Sequence, residues 1–160
     1  MSKVIIGVDP GARGAICIMQ DQKIIELFDM PTMTVKVGKS NKLRVSPELL
    51  ASELRFFSDC ARFAVIEAVT ASPQQGVSSA FAFGQAFGIL TGYFAGVGIP
   101  VQLVTPAKWK RDIGINASKD GARLKATQIW PEDAGEFKRV KDDGRAESAL
   151  IALWGERFGR

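Results

Sequence analysis

The stretch Val-Ile-Ile-Gly-Val-Asp-Pro-Gly-Ala-Arg-Gly, Val4 to Gly14, constrains this chain more than any other. Its apolar, β-branched run has the composition of a strand. Pro10-Gly11 breaks that run at once, and Ala15 to Met19 resumes as a second apolar strand. The reversal leaves one carboxylate, Asp9, at the end of a strand hydrophobic enough to be buried. An ionised carboxylate withdrawn from water costs several kcal/mol unless a cation or hydrogen-bond donors compensate it. Asp9 therefore either caps the turn, as Asp before Pro-Gly does, or stands at an open strand end and serves a site.

After a Gln20-Asp21-Gln22 turn, Lys23 to Asp29 alternates well enough to predict a third strand, giving an antiparallel meander. From Pro31 to Pro47 the character changes: Lys36, Lys39, Lys42 and Arg44 occur with no acid among them, and Gly38 and Ser40 lie between. This predicts a mobile basic loop, either a solvated connector or an arm that meets phosphate. Ser46-Pro47-Glu48 is a helix start, with Ser as N-cap and Pro at the first helical position. Leu50, Leu54 and Phe57 continue it at helical spacing to near Asp59. Arg62 to Ala68 is again an apolar strand with one acid, Glu67, at its end. Two strands that each finish on a lone carboxylate are more simply explained by one shared site than by two accidents.

No charged residue occurs from Ala68 to Ala107, and Ser78 to Val97 reads as a long helix in which Gly84, Gly88, Gly92 and Gly96 share a face. Each glycine costs a helix about 1 kcal/mol relative to alanine. That face is expected to meet another backbone closely, on the sheet or across a homodimer contact. A membrane span is disfavoured because Ser78, Ser79 and Gln85 interrupt the run and no second span or flanking anchor accompanies it. Val101 to Val104 is a short strand, and Thr105-Pro106 caps a helix carrying Lys108, Trp109, Lys110 and Arg111. Ser118 is expected to cap the next, which carries Lys119, Arg123, Lys125 and Trp130 up to Pro131. These bases are either a solvated face around core tryptophans or, with the 36–44 segment, a surface for a phosphate backbone.

In the last segment, about 100° per residue places Asp143, Glu147, Leu150, Ile151, Trp154 and Phe158 on one stripe. Arg145, Ser148, Ala152 and Glu156 fall opposite. The apolar stripe is expected to pack on the sheet and to carry both acids with it.

Composition narrows the chemistry. The 160 residues suit one domain, and 46% hydrophobic with 24% charged residues is the balance of an ordered globular protein. Net charge is +4 and the pI about 9.2, a mild bias toward polyanions. Histidine is absent, which excludes His-based triads and disfavours zinc. Cys17 and Cys60 lack paired spacing and no signal-peptide pattern is present, so both are expected as reduced thiols of a cytoplasmic protein. Asp9, Glu67, Asp143 and Glu147 remain as four carboxylates aimed from two strand ends and one helix at a common point. Such a group needs raised pKa values or hard cations. Oxygen-only ligation selects Mg²⁺, with Mn²⁺ as substitute. Two such ions about 3.5–4 Å apart activate water and stabilise the leaving oxygen in attack on a phosphodiester.

The segments Gly7-Val8-Asp9-Pro10-Gly11, Val65-Ile66-Glu67, Gly84-Gln85-Ala86-Phe87-Gly88, Leu103-Val104-Thr105-Pro106 and Asp143 to Leu150 resemble those of RuvC-type Holliday-junction resolvases, particularly the compact phage-encoded branch. The resemblance spans nearly the whole chain. It implies an α/β, ribonuclease H-like domain over residues 1–160: a five-stranded mixed sheet, three strands antiparallel and then two parallel, flanked by helices. It also implies a homodimer that binds a four-way DNA junction and, with two Mg²⁺ ions per active site, nicks two strands of like polarity. By this likeness Asp9, Glu67 and Glu147, joined by Asp143, are the catalytic and metal-binding residues. The DNA contacts fall to Lys36, Lys39, Lys42, Arg44, Lys108, Lys110, Arg111, Lys119 and Lys125. Two departures stand out. Many relatives space the last two acids three apart, which would fall on Gly144, and the aromatic wedge common after the second acid is replaced by Ala68-Val69-Thr70-Ala71-Ser72. An actin-like or sugar-kinase ATPase shares the opening motif, yet it needs a second such lobe and Gly-rich phosphate turn. A non-catalytic protein that binds branched DNA is the other alternative.

Overall fold

The computed structural model describes residues 3–68, 70–116, 118 and 120–160. β1 (Val4–Asp9), β2 (Ala15–Gln20) and β3 (Lys23–Asp29) form the expected antiparallel meander. The β2–β3 turn holds Asp21 and Gln22 at φ of 51° and 60°, the backbone twist of a type I′ hairpin.

The expected basic loop is instead a second hairpin, β4 (Thr32–Val37) with β5 (Ser40–Val45), forming its own two-stranded sheet. Thr32, Thr34, Val35 and Val37 supply β-branched residues. Gly38 takes φ +61° at the first position of the two-residue turn, where primed hairpin turns favour glycine. The lysines mask this pattern because they occupy exposed positions of the hairpin, while its base joins the core at Val45.

α1 (Pro47–Leu54) starts as expected, with the Ser46 hydroxyl accepting from the Leu49 N–H. It gives way at Arg55–Phe57 to a 3-10 turn, short of Asp59. β6 (Ala61–Glu67), α2 (Val77–Gly96), β7 (Val101–Val104), α3 (Pro106–Ile113), α4 (Gly121–Ile129) and α5 (Asp143–Phe158) complete the chain. α4 begins later than Ser118, whose hydroxyl donates to Asn116 Oδ1 instead of capping the helix.

The main sheet has the order β3-β2-β1-β6-β7, antiparallel through β1 and parallel from β1 through β7. This is the mixed ribonuclease H-like sheet expected. Strand alternation divides the core: Val4, Ile6, Val8, Ala64 and Ile66 pack with Leu50, Leu54, Leu90 and Phe94 of α1 and α2. Ile5, Phe63 and Val65 pack on the other face with Trp109, Leu150, Ile151 and Trp154.

α5 is turned relative to the expected stripe. Ser148 and Ala152 are fully buried and face β1, while Phe158 is half exposed. The cause is glycine: a Cβ at Gly7 would collide with the Ser148 carbonyl oxygen and the Ala152 backbone nitrogen. One at Gly155 would meet Val65 and Ile5, and one at Gly144 would meet Arg13 and Gly14. Small residues, not the large apolar ones, make the closest approach to the sheet. The bulky side is covered from outside, so α5 is buried almost all round from Gly144 to Gly155.

Of the two contacts expected for the glycine face of α2, the sheet is not the one it makes. Ala86, Leu90 and Phe94 pack it on the sheet, whereas Gly84, Gly88, Gly92 and Gly96 face outward, with no atom within 4 Å of an added Cβ. Among the described residues, no helix is long and apolar enough to cross a membrane.

Candidate metal centre

Asp9 and Glu67 meet because their strands are parallel neighbours. Val8 pairs with Ile66, so the next residues are the two acids, both on the α5 face and both at the carboxyl ends of their strands. Crevices at the carboxyl ends of parallel strands are where open α/β sheets bind ligands. The close seating of α5 on Gly7 then brings Glu147, one residue before Ser148, to the same point. One carboxylate oxygen from each of Asp9, Glu67 and Glu147 lies within 4.8 Å of the others.

The electrostatics are those of a site short of positive charge. Burial first, then Glu147 and Glu67, push Asp9 well above the ordinary carboxylate range, with Lys110 pulling the other way. Burial also raises Glu67, opposed by a hydrogen bond from the Trp109 indole. Lys110 Nζ sits 3.3 Å from Glu147 Oε1. The donors fit a hard divalent cation: three carboxylates, no imidazole and no thiolate in the cluster. Cys17 lies in the core with its thiol pushed up by burial, so it offers no nucleophile.

Asp143 stands apart from the three. Arg123 Nε donates to its Oδ1 at 2.7 Å, while its charge still contributes to raising Asp9. The α3 bases are engaged with acids: Lys108 Nζ lies 3.0 Å from Asp112, and Arg111 Nε 3.6 Å from the same carboxylate. Lys36, Lys39 and Lys42 are exposed on the hairpin, Arg44 is half-buried at its base and Lys125 is half-buried on α4. Lys119 lies outside the described residues.

Two cavities of about 500 and 490 Å³ flank the β1–β2 turn. Asp9, Arg44 and Phe83 line the first, Asp143 lines the second, and Arg13 and Leu43 line both. Arg13 is exposed there, a site residue that sequence reasoning misses although it belongs to the Asp-Pro-Gly-Ala-Arg turn itself. Trp109 is another, and only the α3–sheet contact reveals it.

The sequence matches no protein-family model, and no curated protein matches it. Solved structures do. A structure titled T. thermophilus RuvC in complex with Holliday junction substrate superposes with TM-score 0.62 at 16% identity, covering 98% of this chain and 97% of that one. A second Thermus thermophilus RuvC structure gives TM-score 0.57 at 16% identity, over 96% and 95%. The architecture is thus the ribonuclease H-like fold that RuvC also has, with an acidic cluster at the carboxyl ends of its central strands.

Proposed function

We propose that this protein is a divalent-metal-dependent endonuclease that acts on branched DNA, with the four-way junction as its main substrate. The observation that carries this reading is the convergence of Asp9, Glu67 and Glu147 from β1, β6 and α5. The fold likeness to a RuvC structure titled with a Holliday junction supports the choice of substrate. In this reading Asp9, Glu67 and Glu147 hold the ions, and Asp143 joins on exchange of its Arg123 partner. Bound Mg²⁺ or Mn²⁺, as a pair, would supply an activated water and a counter-charge for the leaving oxygen. The chain itself does the rest: Lys110 orients Glu147 and balances its charge, and Arg13 and Arg44 offer guanidinium groups to phosphates entering the cavities. Cytoplasmic DNA would be the target. The test is a labelled four-way junction beside a linear duplex and a flap, with Mg²⁺ or with EDTA. The wild type is expected to nick the junction symmetrically only with Mg²⁺, and Glu67→Gln to bind without cutting. Cleavage that persists in EDTA, or a duplex cut as fast as the junction, contradicts the proposal.

The hairpin lysines supply the long-range attraction. Replacing Lys36, Lys39 and Lys42 with alanine together is expected to weaken junction binding and to reduce the slope of log affinity against log salt by about 1 for each phosphate no longer neutralised. Fluorescence anisotropy across a salt series checks this, and the melting temperature should hold because all three side chains are exposed.

A homodimer belongs to the same proposal, since paired nicks need two sites related by a twofold axis. The outer face of α2 is the proposed contact. It has no charge, its four glycines meet nothing within 4 Å, and Val77 and Phe81 are 88% and 69% exposed. Light scattering at micromolar concentration should give a dimer for the wild type and a monomer for Gly88→Arg.

A further inference from the structure

The three indole N–H groups of the chain go to different kinds of partner. Trp130 donates to the Gln22 carbonyl and Trp154 to Asp112, both away from the acidic cluster. Trp109 donates to Glu67 Oε2 at 2.6 Å. The Trp109 side chain is 0% exposed and lies in the core between the sheet and α5, so it has no freedom to follow a moving carboxylate. A short bond from a neutral donor to a charged acceptor is among the stronger hydrogen bonds in proteins. Here it joins a rigid core ring to one of the three clustered acids. It engages one oxygen of Glu67 and so limits how that carboxylate can turn within the cluster.

We propose that Trp109 is a positioning residue for the metal centre, fixing the Glu67 carboxylate in the orientation that a divalent cation requires. The inference rests on the reading of Asp9, Glu67 and Glu147 as ligands. Its basis is local: Thr105 caps α3 by accepting from the Lys108 N–H, β7 pairs with β6 so that Val104 stands beside Glu67, and the first turns of α3 therefore deliver Trp109 to that acid. Partners of this kind, one step removed from the metal, fix ligand orientation, and their loss lowers metal affinity by about 10–100-fold.

The test must separate the N–H from the ring. Two variants of the full chain serve: Trp109→Phe, which removes the N–H and part of the ring, and site-specific replacement of Trp109 by benzothienylalanine, which keeps the fused ring and substitutes sulfur for N–H. Mn²⁺ affinity is measured by calorimetric titration, with thermal melting alongside. Both variants are expected to bind Mn²⁺ about 10–100-fold more weakly than wild type, and the benzothienylalanine protein to melt near the wild-type temperature. Wild-type Mn²⁺ affinity in the benzothienylalanine protein overturns the proposal, whatever Trp109→Phe does, because the ring alone would then suffice. If the wild type itself binds no Mn²⁺ in this cluster, with Glu67→Gln as the comparison, the ligand reading fails first and the positioning role with it.

Discussion

Asp9→Asn is expected to abolish junction cleavage, by about 10³-fold or more, and at the same time to raise the melting temperature of the metal-free protein. The two effects share one cause. Burial and the charges of Glu147 and Glu67 hold the Asp9 carboxyl well above its ordinary range. Between the unfolded and the folded pKa the native state keeps a proton that the unfolded chain has released. Stability therefore falls as pH rises through that window, and at any pH above it the ionised Asp9 opposes folding. Asparagine removes the repulsion, and each kcal/mol relieved should raise the melting temperature by about 2–4 °C. It also removes a ligand, and loss of several kcal/mol of transition-state stabilisation is a loss of about 10³ or more in rate. Added Mg²⁺ should stabilise the wild type more than Asp9→Asn, by an amount that grows with pH as Asp9 deprotonates. Calorimetric melting of both proteins over a pH series with and without Mg²⁺ measures all of this. A variant that melts lower than wild type without metal would show that Asp9 is a structural cap.

Gly7→Ala is expected to have the largest effect on the fold itself. The new methyl would press on the backbone of α5 at Ser148 and Ala152. That helix has little room to yield, because Gly144 is seated on Arg13 and Gly14, and Gly155 on Val65 and Ile5. Overpacking a core commonly costs about 1–3 kcal/mol, and a clash with main chain belongs at the upper end. Lifting α5 also draws Glu147 away from Asp9 and Glu67. Any protein that still folds should therefore lose Mn²⁺ affinity as well as urea resistance. Urea melts and Mn²⁺ titration of the same sample test the link; weakened folding with wild-type Mn²⁺ affinity would separate the glycine contact from the metal centre.

The parts of this architecture that sequence periodicity carries are those in which one residue alternation or one cap decides the outcome. β1, β2 and β3, the Ser46-Pro47 and Thr105-Pro106 helix starts, and the two strands ending on Asp9 and Glu67 are of this kind. The β4–β5 hairpin is hidden because its bases, unrelieved by any acid and set around Gly38 and Ser40, have the look of a loop, while its β-branched residues pair in a separate two-stranded sheet that joins the core at Val45. The rotation of α5 is hidden because hydrophobic periodicity finds large side chains, whereas the distance of approach is set by the small ones at Gly7, Ser148 and Ala152. Asp143 and Glu147 share a helix face in the sequence, but the Arg123 guanidinium on α4 draws one aside. No local pattern announces a partner twenty residues away, and none announces the bond from Trp109 to Glu67.

The chemistry proposed for this chain depends on Asp9, Glu67 and Glu147 binding divalent cations together. Anomalous diffraction from crystals soaked in Mn²⁺ tests this most directly. Anomalous peaks bounded by these three carboxylates, and lost in Asp9→Asn, are the expected result. Manganese bound only elsewhere on the protein, with these three acids bare, would contradict it.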